Sequence, residues 1–257
     1  MTPFVTVESL RVLVGAGDVQ VVDCRFRLGQ HGAGRELYRE GHVPGALYFD
    51  LDDDLSGVRR EDRVGGRHPL PERAAFAHAV QRAGLCCDLP IVVYDDGTGG
   101  AARAWWLLRH HGVESSVLMG GIAAWDEPLE VGAVAAHLGD LVLGVERSDD
   151  VVDAVGVQEA LVAGRTILDA RAPERYAGMV EPVDPVAGHI AGARNAPFNA
   201  PDAITPDLLA AVDAPIAYCG SGVTACALIL RLVDQGRDDA VLYPGSWSDW
   251  CARGLAG

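Results

Sequence analysis

The same series of short apolar runs and polar motifs occurs twice in this chain, and that duplication restricts the fold more than any other feature. Val21, Val22, Asp23, Cys24 and Arg25 are matched by Ile167, Leu168, Asp169, Ala170 and Arg171, each a strand-like run ending in Asp-x-Arg. Gly41, His42, Val43, Pro44, Gly45 and Ala46 are matched by Gly188, His189, Ile190, Ala191, Gly192 and Ala193. Further on, Ile91 to Tyr94 lines up with Pro215 to Tyr218, Gly112 with Gly236, and Val117-Leu118 with Val241-Leu242. A repeat this long is a duplicated domain, because solenoid units recur at about 20 to 50 residues. In each half β-rich runs alternate with helical patterns, which predicts an α/β domain with a mostly parallel sheet flanked by helices. Gly112 and Gly236 are placed to stop helices. The repeat is lost between Pro128 and Asp150, where Gly, Ala and acidic residues dominate. The predicted domains are therefore residues 1–130 and 151–257, with a linker over 131–150.

The chemistry concentrates in one loop. After the apolar run Pro215 to Tyr218 the chain reads Cys219, Gly220, Ser221, Gly222, Val223, Thr224, and then a helix-like stretch from Ala225 to Val233. A cysteine where a strand turns into a helix sits among backbone N–H groups at the positive end of the helix dipole, which favours thiolate over thiol. Gly220 and Gly222 let such a loop curl around an atom bound to sulfur. A buried structural cysteine is the plain alternative, but it needs no glycines on two of the next three positions. Aligned with this loop, the first half has Tyr94, Asp95, Asp96, Gly97, Thr98 and Gly99, so Asp95 stands where Cys219 stands. Only the second half is expected to do cysteine chemistry.

Composition narrows the partners. Hydrophobic residues make up 49% of the 257 residues and charged residues 22%, which is globular composition. The formal charge of −15 and the absence of lysine argue against nucleic acid or an anionic membrane as partner. No segment approaches the about 18 uninterrupted apolar residues of a membrane span, and Met1 to Glu8 lacks the pattern of a secretory signal. A cytoplasmic protein with reduced thiols is the expectation. The six cysteines form no C-x-x-C pair and no ligand cluster with histidine, so no metal is expected.

The duplicated Asp-x-Arg and Gly-His-x-x-Gly-Ala motifs, the Cys-Gly-Ser-Gly-Val-Thr-Ala loop and the closing Gly245, Ser246, Trp247, Ser248, Asp249, Trp250 resemble the tandem-domain rhodanese sulfurtransferases over nearly the whole chain. The resemblance implies two α/β domains of one fold, a silent N-terminal copy and a C-terminal copy that carries a persulfide on Cys219, with no bound cofactor. It implies a small-molecule sulfur donor, thiosulfate or 3-mercaptopyruvate, and an acceptor that is cyanide, a thiol or thioredoxin. Gly220, Gly222, Val223 and Thr224 of the loop would bind the substrate, together with Arg175, where the family keeps a substrate-binding arginine. The neutral loop with Ser221 looks like the mercaptopyruvate branch, in which a Ser, a His and an Asp are proposed to relay a proton. Residue by residue these are Ser221, His68 in His68-Pro69-Leu70-Pro71, and Asp52 after Tyr48-Phe49-Asp50-Leu51. From local spacing alone, His68 and Asp52 read equally well as solvated loop residues. One feature departs from that branch: the stretch Glu181 to Ala187 lacks its second arginine. Both donors therefore stay open.

Two other readings compete. A cysteine phosphatase would need Cys-x5-Arg, the arginine clamping phosphoryl oxygens, and position 225 is Ala225. A non-catalytic sulfur carrier or binding module is the other, since duplicated domains lose sites and Asp95 marks one loss. His42 and His189, present in both copies, read as structural, as do the paired Asp-x-Arg motifs.

Overall fold

The computed structural model describes residues 2–135 and 137–256, and these form two compact units, 2–57 with 70–147 and 58–69 with 148–256. The first unit runs β1 (Phe4–Val5), α1 (Val7–Ala16), β2 (Gln20–Asp23), α2 (Ala33–Glu40), β3 (Leu47–Tyr48), α3 (Arg73–Ala83), β4 (Ile91–Tyr94), α4 (Gly100–His110) and β5 (Ser115–Leu118). Its sheet is parallel throughout, in the order β1-β5-β4-β2-β3. The second unit runs α5 (Ala154–Val162), β6 (Ile167–Asp169), α6 (Pro173–Tyr176), β7 (Arg194–Asn195), α7 (Pro206–Leu209), β8 (Ile216–Tyr218), α8 (Thr224–Asp234), β9 (Val241–Leu242) and α9 (Ser246–Ala252). Its sheet is also parallel, in the order β7-β6-β8-β9. The expected α/β architecture with helix-covered parallel sheets is thus present in both copies. No described helix is long and apolar enough to cross a membrane.

The strands are short apolar runs buried on both faces, as parallel strands under helices must be. All four residues of β2 and of β4 are buried, and so are all of β6 and β8. Helix starts follow from capping: the Thr6 side chain accepts from the Ser9 N–H at α1, and the Asp153 carboxylate accepts from the Gly156 N–H at α5. Helices α4 and α8 stop at His111 and Gln235, each followed by the glycine expected as the stop, Gly112 at φ +69° and Gly236 at φ +86°. Each unit has its own core. Leu10, Val21, Val43, Val92 and Leu118 pack together in the first, and Ala154, Val157, Ile167, Ile190 and Ile216 in the second.

The duplicated polar motifs build one device twice. In the first unit Arg25 donates to both Asp23 oxygens and to the Leu37 and Gly41 carbonyls, while the Tyr94 hydroxyl donates to Asp23 Oδ2 at 2.9 Å. In the second, Arg171 donates to both Asp169 oxygens and to the Gly188 carbonyl, and Tyr218 stands opposite Asp169 in the sheet register. These buried charges are paired and hydrogen-bonded on several sides, which is the condition for burying them at all. His42 and His189 stack on Tyr38 and Tyr176 at centroid distances of 4.1 and 3.9 Å, and each bonds that tyrosine's carbonyl through Nδ1 at 2.8 Å. Both histidines pin the turn that precedes the edge strand.

At the turn from β4 to α4, Asp95 fills a nest of backbone donors. Its Oδ1 accepts from Gly97 N–H at 2.8 Å, and its Oδ2 from Gly99 and Ala101 N–H at 2.8 and 3.0 Å. Burial pushes the Asp95 carboxyl up and outweighs these donors. Replacing it by alanine strands three buried N–H groups. Asp95→Ala should lower the unfolding free energy of the protein by roughly 2–4 kcal/mol in denaturant titration. A change below about 0.5 kcal/mol would mean that the nest does not depend on the carboxylate.

Candidate active site

The second unit places Cys219 at the equivalent turn, directly after β8 as Asp95 directly follows β4. The side chain is buried at 2% exposure. Gly222 N–H points at Sγ from 3.1 Å. Burial by itself raises the thiol, but the Thr224 side chain and the N–H groups of Ser221, Ala225 and Gly222 outweigh it, so Cys219 lies below the ordinary cysteine value. Helix α8 begins at Thr224, adding the positive end of its dipole. Of the loop residues named from the sequence, Ser221, Gly222 and Thr224 have groups directed at the sulfur.

The loop keeps its shape because a second turn grips it. Cys219 N–H donates to Ser246 Oγ at 3.1 Å, and that hydroxyl donates on to the Tyr243 carbonyl. The Cys219 and Gly220 carbonyls accept from Trp247 and Ser248 N–H at 3.0 and 3.1 Å. With its own N–H and carbonyls committed backwards, the loop turns its remaining N–H groups inward on the sulfur. Ser246 adopts φ +55°, a left-handed backbone that a serine holds only when its surroundings fix it. Gly222, at φ +78°, has no room for a side chain, since a Cβ would stand 2.5 Å from the Pro244 carbonyl oxygen. Trp247 is packing rather than lining: it is buried and donates Nε1–H to the Val186 carbonyl.

Residues 58–69 belong to this unit and carry His68 to the site. Gly65 N–H donates to Asp249 Oδ1 at 2.7 Å, and Gly66, at φ +90°, packs its backbone against Gly245. Asp249 in turn accepts from the Tyr243 hydroxyl and from Arg253. Anchored in this way, the segment places His68 Nδ1 2.8 Å from Ser221 Oγ, with both side chains buried. The two residues are thus a hydrogen-bonded pair in the Cys219 loop, although 152 other positions separate them in the chain. Asp52 lies in the first unit, where its N–H donates to Asp50 Oδ1 and its carboxylate faces His31 at 3.6 Å.

Cations come from outside the loop. Arg175, at the end of α6, donates from Nη2 to Glu181 Oε1 and Oε2 at 2.6 and 2.9 Å, which leaves Nη1 facing Gly220. Burial raises the Glu181 carboxyl, but the N–H groups of Asp184 and Val183 with Arg175 outweigh it, so Glu181 stays ionised and holds the arginine in place. Arg67 was not anticipated. It is buried, bonds Asp184 through Nη1, and brings Nη2 to within 2.9 Å of where a Cβ on Gly220 would stand. No local pattern ties residue 67 to a loop at residue 220. Glu181 and Asp184 were legible only as acids in a stretch that lacks arginine.

Two clusters in the first unit gather metal-type donors: His110, His111 and Glu146, and His31, Asp50 and Asp53. Arg73 points Nη1 at His111 Nδ1 from 3.3 Å and lies 4.0 Å from Glu146, so a guanidinium already stands beside the first group. In the second, Asp50 Oδ1 is engaged by the N–H groups of Asp52 and Asp53.

Comparison with known proteins identifies the family. The rhodanese-like domain matches residues 6–128 and again 153–253. A probable 3-mercaptopyruvate sulfurtransferase of Pseudomonas aeruginosa is 41% identical over 95% of this chain and 93% of its own length. A putative thiosulfate sulfurtransferase of Mycobacterium tuberculosis is 40% identical over 96% of this chain and 93% of its own. Among solved structures, the 3-mercaptopyruvate sulfotransferase of Escherichia coli superposes with a TM-score of 0.80 at 33% identity, covering 96% of this chain and 99% of that one. With the domain matched twice and relatives of this identity along almost the whole length, the chain belongs to the rhodanese family of sulfurtransferase enzymes.

Proposed function

We propose that this protein transfers a sulfane sulfur from thiosulfate or 3-mercaptopyruvate through a persulfide on Cys219 to a thiophilic acceptor such as cyanide, a thiol or thioredoxin. The observation that carries this reading is the buried, acidified Cys219 thiol inside a ring of N–H donors. The thiolate attacks the outer sulfur of the donor, and the bond between that sulfur and the rest of the donor breaks. With thiosulfate, sulfite leaves with the electron pair and no proton moves. With 3-mercaptopyruvate, the C–S bond breaks and its pair passes to the enolate of pyruvate, so the donor's thiol proton must end on carbon. In both cases the terminal sulfur of Cys219 is left as an anion, which suits the same N–H nest. Arg175 Nη1 is the group assigned to the donor's anionic end.

The Ser221–His68 pair has work to do with only one of the two donors. Its hydrogen-bonded geometry suits proton transfer to the enolate, and thiosulfate cleavage needs none. Asp52 joins this proposed relay through its family position. The relatives carry names from both donor branches, a 3-mercaptopyruvate enzyme and a thiosulfate enzyme at nearly equal identity. Of the two, the Ser221–His68 contact favours 3-mercaptopyruvate.

Cys219→Ser should abolish transfer from either donor, while Cys226→Ser, one turn into α8 with its thiol bonded to the Gly222 carbonyl, should keep most activity; equal losses would remove Cys219 as nucleophile. Ser221→Ala and His68→Asn should each lower kcat with 3-mercaptopyruvate by about 10- to 100-fold and change thiosulfate turnover far less. Equal effects on both donors would make the pair structural. Alkylation of Cys219 by iodoacetamide should rise with pH through a midpoint below that of a free cysteine, because the folded thiol is lowered and its thiolate persists to lower pH. Thr224→Val, which removes one donor, should move that midpoint upward, and an unmoved midpoint would assign the acidity to the backbone alone.

A further inference from the structure

A cavity of about 290 Å³ opens in the first unit where α2, β3, the end of α3 and residues 133–134 meet. None of its lining residues belongs to the Cys219 loop or to the segments packed on that loop. Leu47, Ala83, Ala133 and Val134 give it an apolar wall, and Arg35 and Arg82 bring two guanidiniums to the same space. The chain carries a formal charge of −15, so two cations around one cavity run against its general balance.

Most polar groups around the cavity are already committed to the protein. The Tyr38 hydroxyl donates to the Ala46 carbonyl at 2.7 Å and accepts from Val134 N–H at 3.2 Å. The Tyr48 hydroxyl donates to the Arg25 carbonyl at 3.2 Å. Asp54, the acidic side chain of the lining, is buried with both oxygens engaged: Oδ1 accepts from Arg82 Nη2, and Oδ2 accepts from Asp50 N–H at 2.8 Å. The arginine N–H groups are what is left. Arg35 is half-buried, its guanidinium carbon 4.8 Å from the centroid of the Tyr48 ring, and it makes no hydrogen bond or ion pair with a described residue. Contact with a ring face uses the π surface of a guanidinium and keeps its in-plane N–H groups for an acceptor. With two guanidiniums against one carboxylate, the lining retains positive charge.

We propose that this cavity binds a small organic carboxylate, the carboxylate oxygens taking the Arg35 N–H groups beside Arg82 and the apolar body lying against Leu47, Ala83 and Val134. Its volume narrows the body. A cavity of about 150 Å³ holds benzene, so about twice that volume holds one ring with a short acidic side chain, or an aliphatic acid of similar bulk. A bare inorganic oxyanion would meet the arginines but leave the apolar wall in water, whereas a pocket with apolar walls and a few polar anchors suits an organic acid. The site requires neither Cys219 nor a sulfur donor, so it stands or falls apart from the sulfur-transfer reading.

The test titrates the full chain by fluorine NMR with two probes that differ in charge, 4-fluorophenylacetate and its neutral amide, 4-fluorophenylacetamide. The acid should saturate with a Kd between about 0.1 and 5 mM, as befits a ligand of this size, and the amide should bind at least about 10-fold more weakly. Arg35→Gln should weaken the acid by roughly 10-fold and leave the amide within about 2-fold, and Arg35→Lys should recover part of the loss. Arg82→Gln alone would leave Asp54 buried with one partner fewer, so Arg82 is tested in the double variant Arg82→Gln/Asp54→Asn, which removes both charges and should weaken the acid by a smaller factor. Ala83→Leu fills the cavity from the end of α3 and should remove both probes, with urea midpoints showing that each variant is folded. An acid affinity unaltered in Arg35→Gln and in Ala83→Leu overturns the proposal, because the acid then sits elsewhere on the protein. Equal binding of acid and amide, or no saturation by either up to about 20 mM, also overturns it. Displacement of the acid by an equal concentration of sodium sulfate would give the arginines to inorganic anions and overturn the organic carboxylate.

Discussion

A ring of backbone N–H groups at the turn from the central strand into the following helix is the constraint around which both halves of this protein are organised. Such a ring presents several donors to one point and has no acceptor of its own, so whatever stands there must carry negative charge. In the first half the occupant is the Asp95 carboxylate, bonded to Gly97, Gly99 and Ala101. In the second it is the Cys219 sulfur, with Ser221, Gly222 and Ala225 N–H groups and the Thr224 side chain around it. The outcomes differ although the cradle is the same. Burial wins over the donors for the aspartate and raises it, whereas the donors win for the thiol and lower it. One occupant is a carboxyl held by three N–H groups; the other is the thiol that the proposed function makes the nucleophile.

In the proposed function a buried thiolate meets anionic donors, which calls for compensating charge in a chain whose formal balance is −15. In the second unit arginines near the loop are paired with carboxylates, Arg175 with Glu181 and Arg67 with Asp184. Pairing lowers the local positive charge but fixes its direction. The Ser221–His68 contact likewise depends on a remote segment, anchored through Gly65 and Gly66 to Asp249 and Gly245. The Gly-Ser-Trp-Ser-Asp-Trp turn therefore works twice: Ser246, Trp247 and Ser248 fix the nucleophile's loop, and Asp249 fixes the segment that brings His68 and Arg67.

What the sequence determined by itself is everything that repeats or that follows from neighbours along the chain. The duplicated runs specify two α/β units, because strands that must be buried on both faces have a recognisable apolar composition. The paired Asp-x-Arg motifs and His42 and His189 are structural in both halves, which their presence in a copy without the cysteine already implied. Cys219 was legible because its acidity is made locally, by its own loop and its own helix. Only the tertiary structure decided that Arg67 and His68 join that loop and that the acids at 181 and 184 pair with arginines. The reason is physical: a hydrogen bond between residues 68 and 221 has no periodicity and no spacing rule. It exists because the backbone of Gly66 can lie against that of Gly245, and such an approach is fixed by packing, which neighbours in sequence do not encode.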